Sequence, residues 1–256
     1  MKIAAFLPRA LDLVLPPTCL SCGAETMTSG LLCTACFCSL TPIGLACRHC
    51  ALPVPSAAYL GSDGRCAQCA VAPYPWTAAR AAYLYDGTAR RLVLQCKYGD
   101  RLDIAPFLAR VMADMMGDES AERRLLVPVP LHRQRFWKRR FNQAALLAGH
   151  LVRSSPHWRL LPDALVRHRS TATLARLAPE LREQALDAAF HVRDRIKRLI
   201  EGQHVVLVDD ILTTGATASI CAKQLLGAGA RCVDLLVATR TVKLAGDHDH
   251  QGGIQE

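Results

Sequence analysis

The sequence predicts an α/β fold in which helices cover both faces of a parallel sheet, preceded by a small cysteine-rich module. Three observations support this prediction. From about residue 79 onward, short apolar runs rich in β-branched residues alternate with segments of helical periodicity, which is typical of a covered parallel sheet. Before residue 70, eight cysteines are spaced as four C-x-x-C pairs. A proline-containing stretch at 71–76 separates the two regions, as expected of a linker.

Length and composition narrow the classes of protein to which the chain can belong. Its 256 residues suffice for one sizeable core and a smaller module. Since no stretch approaches the roughly 18 apolar residues of a membrane helix, we expect no membrane span. Proline, arginine and aspartate interrupt the apolar N-terminal segment, which argues against a signal peptide and favours a cytoplasmic protein with reduced thiols. The predicted organisation is an amphipathic N-terminal helix (1–17), a cysteine module (18–72), an α/β domain (77–242) and a disordered tail (243–256).

Eight of the 12 cysteines form the four C-x-x-C knuckles. Two intervening residues let both sulfurs of a knuckle reach one Zn²⁺, and two knuckles complete a closed tetrahedral site. The simplest pairing joins successive knuckles into two zinc ribbons, and a cross-braced pairing of the first knuckle with the third also fits the spacing. Because the module has little apolar material, metal binding must supply most of its folding free energy. His49, inside the third knuckle, is expected to be exposed. The expected ligands of two structural zinc ions are Cys19, Cys22, Cys33, Cys36, Cys47, Cys50, Cys66 and Cys69.

The chain is basic, with a formal net charge of +9 when every cysteine is counted as neutral. Two zinc ions bound by eight thiolates lower this value by four, to about +5. The remaining excess favours polyanionic partners. One of the basic runs, at 193–198, is expected to be solvated surface.

Within the α/β domain, β-branched runs predict strands and helical periodicity predicts helices. Residues 181–188 and 190–192 are ambiguous by these criteria. In a parallel sheet of this kind, ligands bind at the carboxyl ends of the strands. The predicted elements are strands at 79–85, 125–130, 205–208 and 232–238, and helices at 90–98, 104–116, 144–152 and 218–226.

The run at 205–217 carries the strongest functional signal. Four apolar residues predict a buried strand, and Asp209 and Asp210 follow where that strand is expected to end. A hydroxyl-rich turn then leads into a helix whose first N–H groups, expected to be capped by its threonines, suit a phosphate dianion. The two carboxylates can accept hydrogen bonds from the hydroxyls of a ribose, so the run predicts binding of a phosphorylated sugar. The residues expected to surround the phosphate are Thr213, Thr214, Gly215, Ala216 and Thr217.

The loop at 132–143 is a second functional element, in which cations alternate with aromatic residues. Five cationic side chains cannot be buried without partners, so they face solvent or an anion. The pattern suits a pyrophosphate or single-stranded nucleic acid, whose bases stack on aromatic rings. The alternative is a solvated basic loop with Phe136 and Phe141 turned to the core. The cations are Arg133, Arg135, Lys138, Arg139 and Arg140.

Asp209-Asp210 followed by Thr-Thr-Gly-Ala-Thr closely resembles the phosphoribosyl-pyrophosphate (PRPP) motif of type I phosphoribosyltransferases. By that resemblance the aspartates hold the ribose 2- and 3-hydroxyls and 213–217 surround the 5-phosphate. Together with the cysteine module, the segments Lys-Tyr-Gly-Asp (97–100), Val-Pro-Val-Pro-Leu-His (127–132) and Phe-Asn-Gln-Ala (141–144) resemble the ComF family in their order. The resemblance implies a type I phosphoribosyltransferase-like fold with a double zinc ribbon, and PRPP with Mg²⁺ as ligand. For some members it implies single-stranded DNA handling in natural transformation.

Three departures from the family pattern stand out: Arg140 replaces a usual glycine, and Leu174 and Ala185 replace a usual glutamine and asparagine. Two main hypotheses follow. In an enzyme, Asp209, Asp210 and cations including Lys97 would act on PRPP while a nitrogen nucleophile displaces pyrophosphate. In a binding module, PRPP or a nucleotide is a ligand, while the basic loop and zinc ribbons bind single-stranded DNA or a protein of the competence machinery. A transcriptional regulator on the same fold is a third hypothesis. The candidates for stabilising the pyrophosphate are Arg133, Arg135 and Arg139.

Overall fold

The computed structural model describes residues 16–99, 101–117, 122–131, 140–167 and 189–242. Strands and helices alternate over most of the α/β domain, as predicted. The strands are β1 (Ala78–Leu84), β2 (Arg124–Pro128), β3 (Trp158–Leu160), β4 (Leu165–Arg167), β5 (Phe190–Val192), β6 (His204–Leu212) and β7 (Cys232–Arg240). The helices are α1 (Thr34–Cys38), α2 (Ala67–Val71), α3 (Gly87–Tyr98), α4 (Ala105–Asp114), α5 (Gln143–Leu151), α6 (Asp194–Ile200) and α7 (Ala216–Gly227).

The five-stranded sheet has the order β1-β7-β6-β2-β3, and each neighbouring pair is parallel. From β2 the chain passes through α5 to β3 on one side, whereas from β6 it passes through α7 to β7 on the other. The direction of winding therefore reverses between β2 and β6. In doubly wound sheets this reversal opens a crevice at the carboxyl ends of the two strands, where ligands bind.

Both faces of the sheet are covered, which confirms the predicted fold class. Along β6, Val205 and Leu207 face a core that includes α7 and the antiparallel β4–β5 pair. Val206 and Val208 face the opposite core, built with α3, α4 and α5. This alternation follows from the period of two of a strand, and burial on both sides explains the continuous apolar run of β6.

The cysteine module covers the edge of the sheet at β1. Ile43 N–H donates to Ala82 O at 3.0 Å, and Leu84 N–H donates to Thr41 O at 2.9 Å. Further along, Ala79 N–H donates to Arg48 O at 3.0 Å. Because these bonds occupy the free side of β1, the strand is not left as an exposed edge for pairing with another chain.

Strands β3 and β4 were not predicted, and β5 falls on a segment whose prediction was ambiguous. Strands β3, β4 and β5 have only three residues each, too few for a periodic pattern. The basic run at 193–198 is largely the helix α6, and its arginines and lysine are exposed, as expected of solvated surface. Residues 1–15, 181–188 and 243–256 lie outside the described residues. Across the described ranges, no helix combines the length and apolar character needed to cross a bilayer.

Candidate functional site

The candidate site lies at the carboxyl end of β6, beside the end of β2. The ladder between these strands ends where Pro128 pairs with Val208, followed by a 2.9 Å bond from Val129 N–H to Val208 O. The pairing of β6 with β7 continues to Leu212. The prediction that the strand ends before Asp209 is therefore wrong, because β7 extends the ladder by four residues past Val208. The two aspartates lie within the strand, at the point where β2 has ended.

The acid pair is divided between the two faces of the sheet. Asp210 is buried, and its Oδ2 lies 3.0 Å from Lys97 Nζ at the end of α3. Asp209 is half-buried, and its Oδ1 accepts the Asp210 N–H at 2.9 Å. Burial, and then repulsion from Asp210, raises the pKa of Asp209 to about 7. The structure thus brings Lys97 into the site together with both predicted carboxylates.

The turn after β6 presents its polar groups to solvent. Thr213, Thr214 and Ala216 are exposed. Gly215 is the N-cap of α7 and has no side-chain acceptor, so the threonine capping that we expected is reduced to one 3.4 Å bond from Ala216 N–H to Thr214 Oγ1. The N-terminus of a helix attracts anions through its N–H groups and its dipole. This turn therefore remains open to an anionic ligand.

Two stacked aromatic rings pack against the turn at residues 214 and 215. Tyr74 and Trp76 are stacked with 4.4 Å between their ring centroids. Tyr74 O–H donates to Thr214 O at 3.3 Å. Gly215 has φ +79, and a Cβ atom built there would lie 2.9 Å from Trp76 Cη2 and from Tyr74 Cε1. Both the backbone conformation and the lack of space require glycine at this position.

Arg240 and the Asn142-Gln143 pair are further site residues that the sequence analysis did not assign a role. Arg240 Nη1 donates to Leu212 O at 3.0 Å and also to Thr213 O, inside the turn. Asn142 caps α5 by accepting the Ala144 N–H at 3.0 Å, and its Nδ2 donates to Val129 O at 3.0 Å. The buried Gln143 donates from Nε2 to Lys97 O at 3.5 Å. The Phe-Asn-Gln-Ala segment was the available signal for the last two.

The basic loop is described only at its ends. Arg133, Arg135 and Arg139 lie outside the described residues, as do Leu174 and Ala185. Arg140 is exposed and has φ +63, so this position keeps the left-handed backbone that a glycine adopts freely. For an arginine this conformation costs about 1 kcal/mol.

The cysteines form two clusters, each with all its sulfur atoms within 4.8 Å of one another. The pairing is sequential: the first two knuckles form one cluster and the last two form the other. Burial raises the pKa of Cys19, but hydrogen bonds from backbone N–H groups outweigh this effect and lower the pKa to about 6. The same balance brings Cys47 to a pKa of about 7. Four thiols at these separations suit tetrahedral Zn²⁺, and neither site has an open position for catalysis.

His49 is buried with 2% of its surface exposed, so the expectation that it is exposed was wrong. Its Nε2 accepts the Tyr74 N–H at 2.9 Å, which makes its Nδ1 the donor to Thr77 O at 3.2 Å. Its own carbonyl accepts the Trp76 Nε1–H at 2.7 Å. The third knuckle is therefore part of the packing beneath the turn, which its spacing alone could not indicate.

The chain is similar to known proteins in both sequence and fold. The double zinc ribbon domain family matches residues 10–70. The DNA utilization protein YhgH of Escherichia coli (strain K12) is 32% identical over 231 residues, 88% of this chain and 90% of that protein. Competence protein F of Haemophilus influenzae (strain ATCC 51907 / DSM 11121 / KW20 / Rd) is 28% identical over 195 residues, 70% of this chain and 83% of that protein. The solved allosteric regulatory enzyme of purine biosynthesis is 21% identical, with a TM-score of 0.34 over 52% of this chain and 25% of that chain.

Proposed function

Because this chain belongs to the ComF family, we propose that it binds PRPP at the crevice beside β6 and transfers its phosphoribosyl group to a nitrogen nucleophile. The observation that carries the proposal is the convergence of an acid pair and the N-terminus of a 12-residue helix at the reversal point of the sheet. One ligand can use both features, because its phosphate binds at the helix N-terminus and its ribose hydroxyls donate to the carboxylates.

Each group in the crevice has a role in this reaction. The N–H groups and hydroxyls of 213–217 bind the 5-phosphate, while Asp209 accepts hydrogen bonds from the ribose hydroxyls. Lys97 offsets the charge of Asp210, which lowers the repulsion within the acid pair. Carboxylate oxygens are ligands that Mg²⁺ prefers, so the half-buried Asp209 would hold an ion bound with PRPP, and that ion would neutralise charge on the departing pyrophosphate.

The transfer itself breaks the bond between C1 and the pyrophosphate oxygen and forms a bond between C1 and the nitrogen. Pyrophosphate leaves with the electron pair, and the nucleophile loses a proton to solvent. Arg133, Arg135 and Arg139 follow β2 in the sequence, and we assign them to stabilising the leaving group. Cationic groups held in place for a developing negative charge are an effective form of electrostatic catalysis.

Calorimetry with PRPP and Mg²⁺, followed by a pyrophosphate-release assay over a panel of nitrogen bases, tests the proposal. We expect binding, turnover with at least one base, and loss of turnover in the Asp209→Asn, Asp210→Asn double variant. Asp194→Asn is the matched control, because this carboxylate lies on α6 with 93% of its side chain exposed. Absence of PRPP binding by the zinc-replete protein would refute the proposal.

A second candidate function is binding of single-stranded DNA, with PRPP as a ligand that is not turned over. The names of the relatives, which refer to DNA utilization and competence, favour it. The charge distribution favours a DNA contact on the α/β domain. Residues 16–72 contain two acidic and two basic residues, so two zinc–thiolate sites make this module negative. The affinity for DNA therefore depends on the basic loop and not on the ribbons.

Salt dependence of DNA affinity checks this assignment. Each phosphate contact contributes about 0.7 to the slope of log K against log salt for a single strand. Charge reversal at Arg135 and Arg139 should lower the slope by about 1.4. Arg65→Glu in the module, where the side chain is 40% exposed, should leave it unchanged. An equal loss in both variants would contradict the assignment.

A further inference from the structure

The turn at 213–215 is connected to the second cysteine cluster through the side chain of Arg240. Arg240 has 8% of its surface exposed, and its guanidinium spans the two features. Nε donates to Cys50 O at 3.0 Å, while Nη1 donates to Leu212 O at 3.0 Å and to Thr213 O. A buried guanidinium needs several acceptors to offset its desolvation. Its position is therefore set jointly by the knuckle that contains Cys50 and by the turn.

A second set of contacts runs from the same knuckle to the same turn. His49 receives the Tyr74 N–H through Nε2, and its carbonyl receives the Trp76 indole N–H. The two rings bear on Gly215, and Tyr74 O–H reaches Thr214 O. The backbone at residues 49 and 50 thus provides acceptors for two independent supports of the turn.

The first cysteine cluster is hydrogen-bonded to helix α3 and, within the described residues, not to the turn. Ser21 Oγ accepts from Arg91 Nε at 3.2 Å, and Ser21 O accepts from Gln95 Nε2 at 3.0 Å. The hydroxyls of Ser39 and Thr88 lie 2.5 Å apart. These contacts end on α3, and among the described hydrogen bonds none joins the first cluster to the turn.

We propose that the second zinc ribbon is a structural part of the phosphate-binding site, with Arg240 and the His49–Tyr74–Trp76 set as positioning residues. Zinc at Cys47, Cys50, Cys66 and Cys69 holds the carbonyls of residues 49 and 50 in place. The conformation of a knuckle depends on its metal, because a metal site of this kind is absent from the unfolded chain. Loss of zinc here releases the turn, whereas loss of zinc from the first ribbon leaves its supports intact. For PRPP as ligand, the inference rests on the proposed function.

Paired cysteine variants separate the two ribbons. The Cys66→Ser, Cys69→Ser variant removes zinc from the second ribbon through residues that provide no group to Arg240 or His49. The Cys22→Ser, Cys33→Ser variant is the matched control in the first ribbon. Zinc content should fall from two ions to one in both. We expect PRPP affinity to fall at least tenfold in the second-ribbon variant and to stay within twofold in the control.

A second comparison leaves the metal sites untouched and keeps the inference testable if a cysteine variant fails to fold. Arg240→Lys retains the charge but cannot reach Cys50 O and the turn together. It should lower PRPP affinity at least tenfold with both zinc ions retained. Arg198→Lys, at an exposed position of α6, should have no effect. Tyr74→Phe keeps the stacked rings, loses the bond to Thr214 O, and should lower the affinity about threefold, the effect of one neutral hydrogen bond.

Hydrogen exchange of a peptide covering 209–217, measured without ligand, distinguishes this inference from the proposed function. Faster exchange in the second-ribbon variant and in Arg240→Lys, but not in the controls, supports the coupling even if the wild-type protein does not bind PRPP. In that case only the proposed function fails. Unchanged exchange in both variants, with PRPP affinity within twofold of wild type where binding occurs, overturns the inference.

Discussion

Gly215→Ala is the substitution for which the structure predicts the clearest loss of stability. Two independent costs apply at this position. The left-handed backbone at φ +79 costs an alanine about 1 kcal/mol. The added Cβ would lie 2.9 Å from atoms of both Trp76 and Tyr74. These rings are stacked and cannot move aside as the end of a flexible chain can, so overpacking adds about 1–3 kcal/mol.

The expected loss in the free energy of unfolding is therefore about 2–4 kcal/mol. For a protein of this size, each kcal/mol lowers Tm by about 2–4 °C. Urea denaturation monitored by circular dichroism measures the first quantity, and a thermal melt measures the second. PRPP affinity should fall as well, because relief of the clash displaces the turn.

Gly149→Ala is the matched control. Gly149 lies within α5, and an added Cβ there has nothing within 4 Å. Alanine is the better helix former, so this variant should gain about 0.5–1 kcal/mol. If Gly215→Ala were as stable as Gly149→Ala, the close packing of the turn against the aromatic pair would be wrong.

Three further predictions concern other parts of the site. The pKa of Asp209 is raised by burial, so the folded state binds a proton that the unfolded state releases, and stability falls as pH rises from about 4 to about 7. Asp209→Asn should therefore raise Tm more at pH 8 than at pH 5, and equal gains in thermal melts would contradict the raised pKa. Arg140→Gly should stabilise the protein by up to about 1 kcal/mol in urea denaturation, while Arg140→Ala should not, because only glycine relieves the left-handed backbone. Lys97→Met leaves Asp210 without its 3.0 Å partner and should cost about 2 kcal/mol of stability, and Lys97→Arg should retain that stability in the same assay.

The identity of the elements and of the metal ligands could be predicted from sequence because those signals are local. Two residues between cysteines restrict where both sulfurs can be, whatever surrounds them. The long apolar runs of β6 and β7 and the periodicity of α3, α4, α5 and α7 also come from neighbouring positions. The three-residue strands β3, β4 and β5 escaped prediction because so short a segment has no measurable period.

The supports of the site were not predictable in this way. Arg240 and Cys50 are separated by 190 positions in the chain, and the buried His49 accepts hydrogen bonds from Tyr74 and Trp76, which follow it by 25 and 27 positions. The orientation of the acid pair was not predictable either, because the extension of β6 along β7 places Asp209 and Asp210 on opposite faces of a strand.

The sequence by itself determined the cysteine knuckles, the alternation of strands and helices, and the acid pair followed by a turn that suits a phosphate. Only the tertiary structure decided that the knuckles pair in succession, that Lys97 meets Asp210, and that the second ribbon contacts the turn. The physical reason is the range of the interactions. Backbone geometry acts over a few residues, whereas contacts between distant segments depend on the order of strands in the sheet, which no local pattern records.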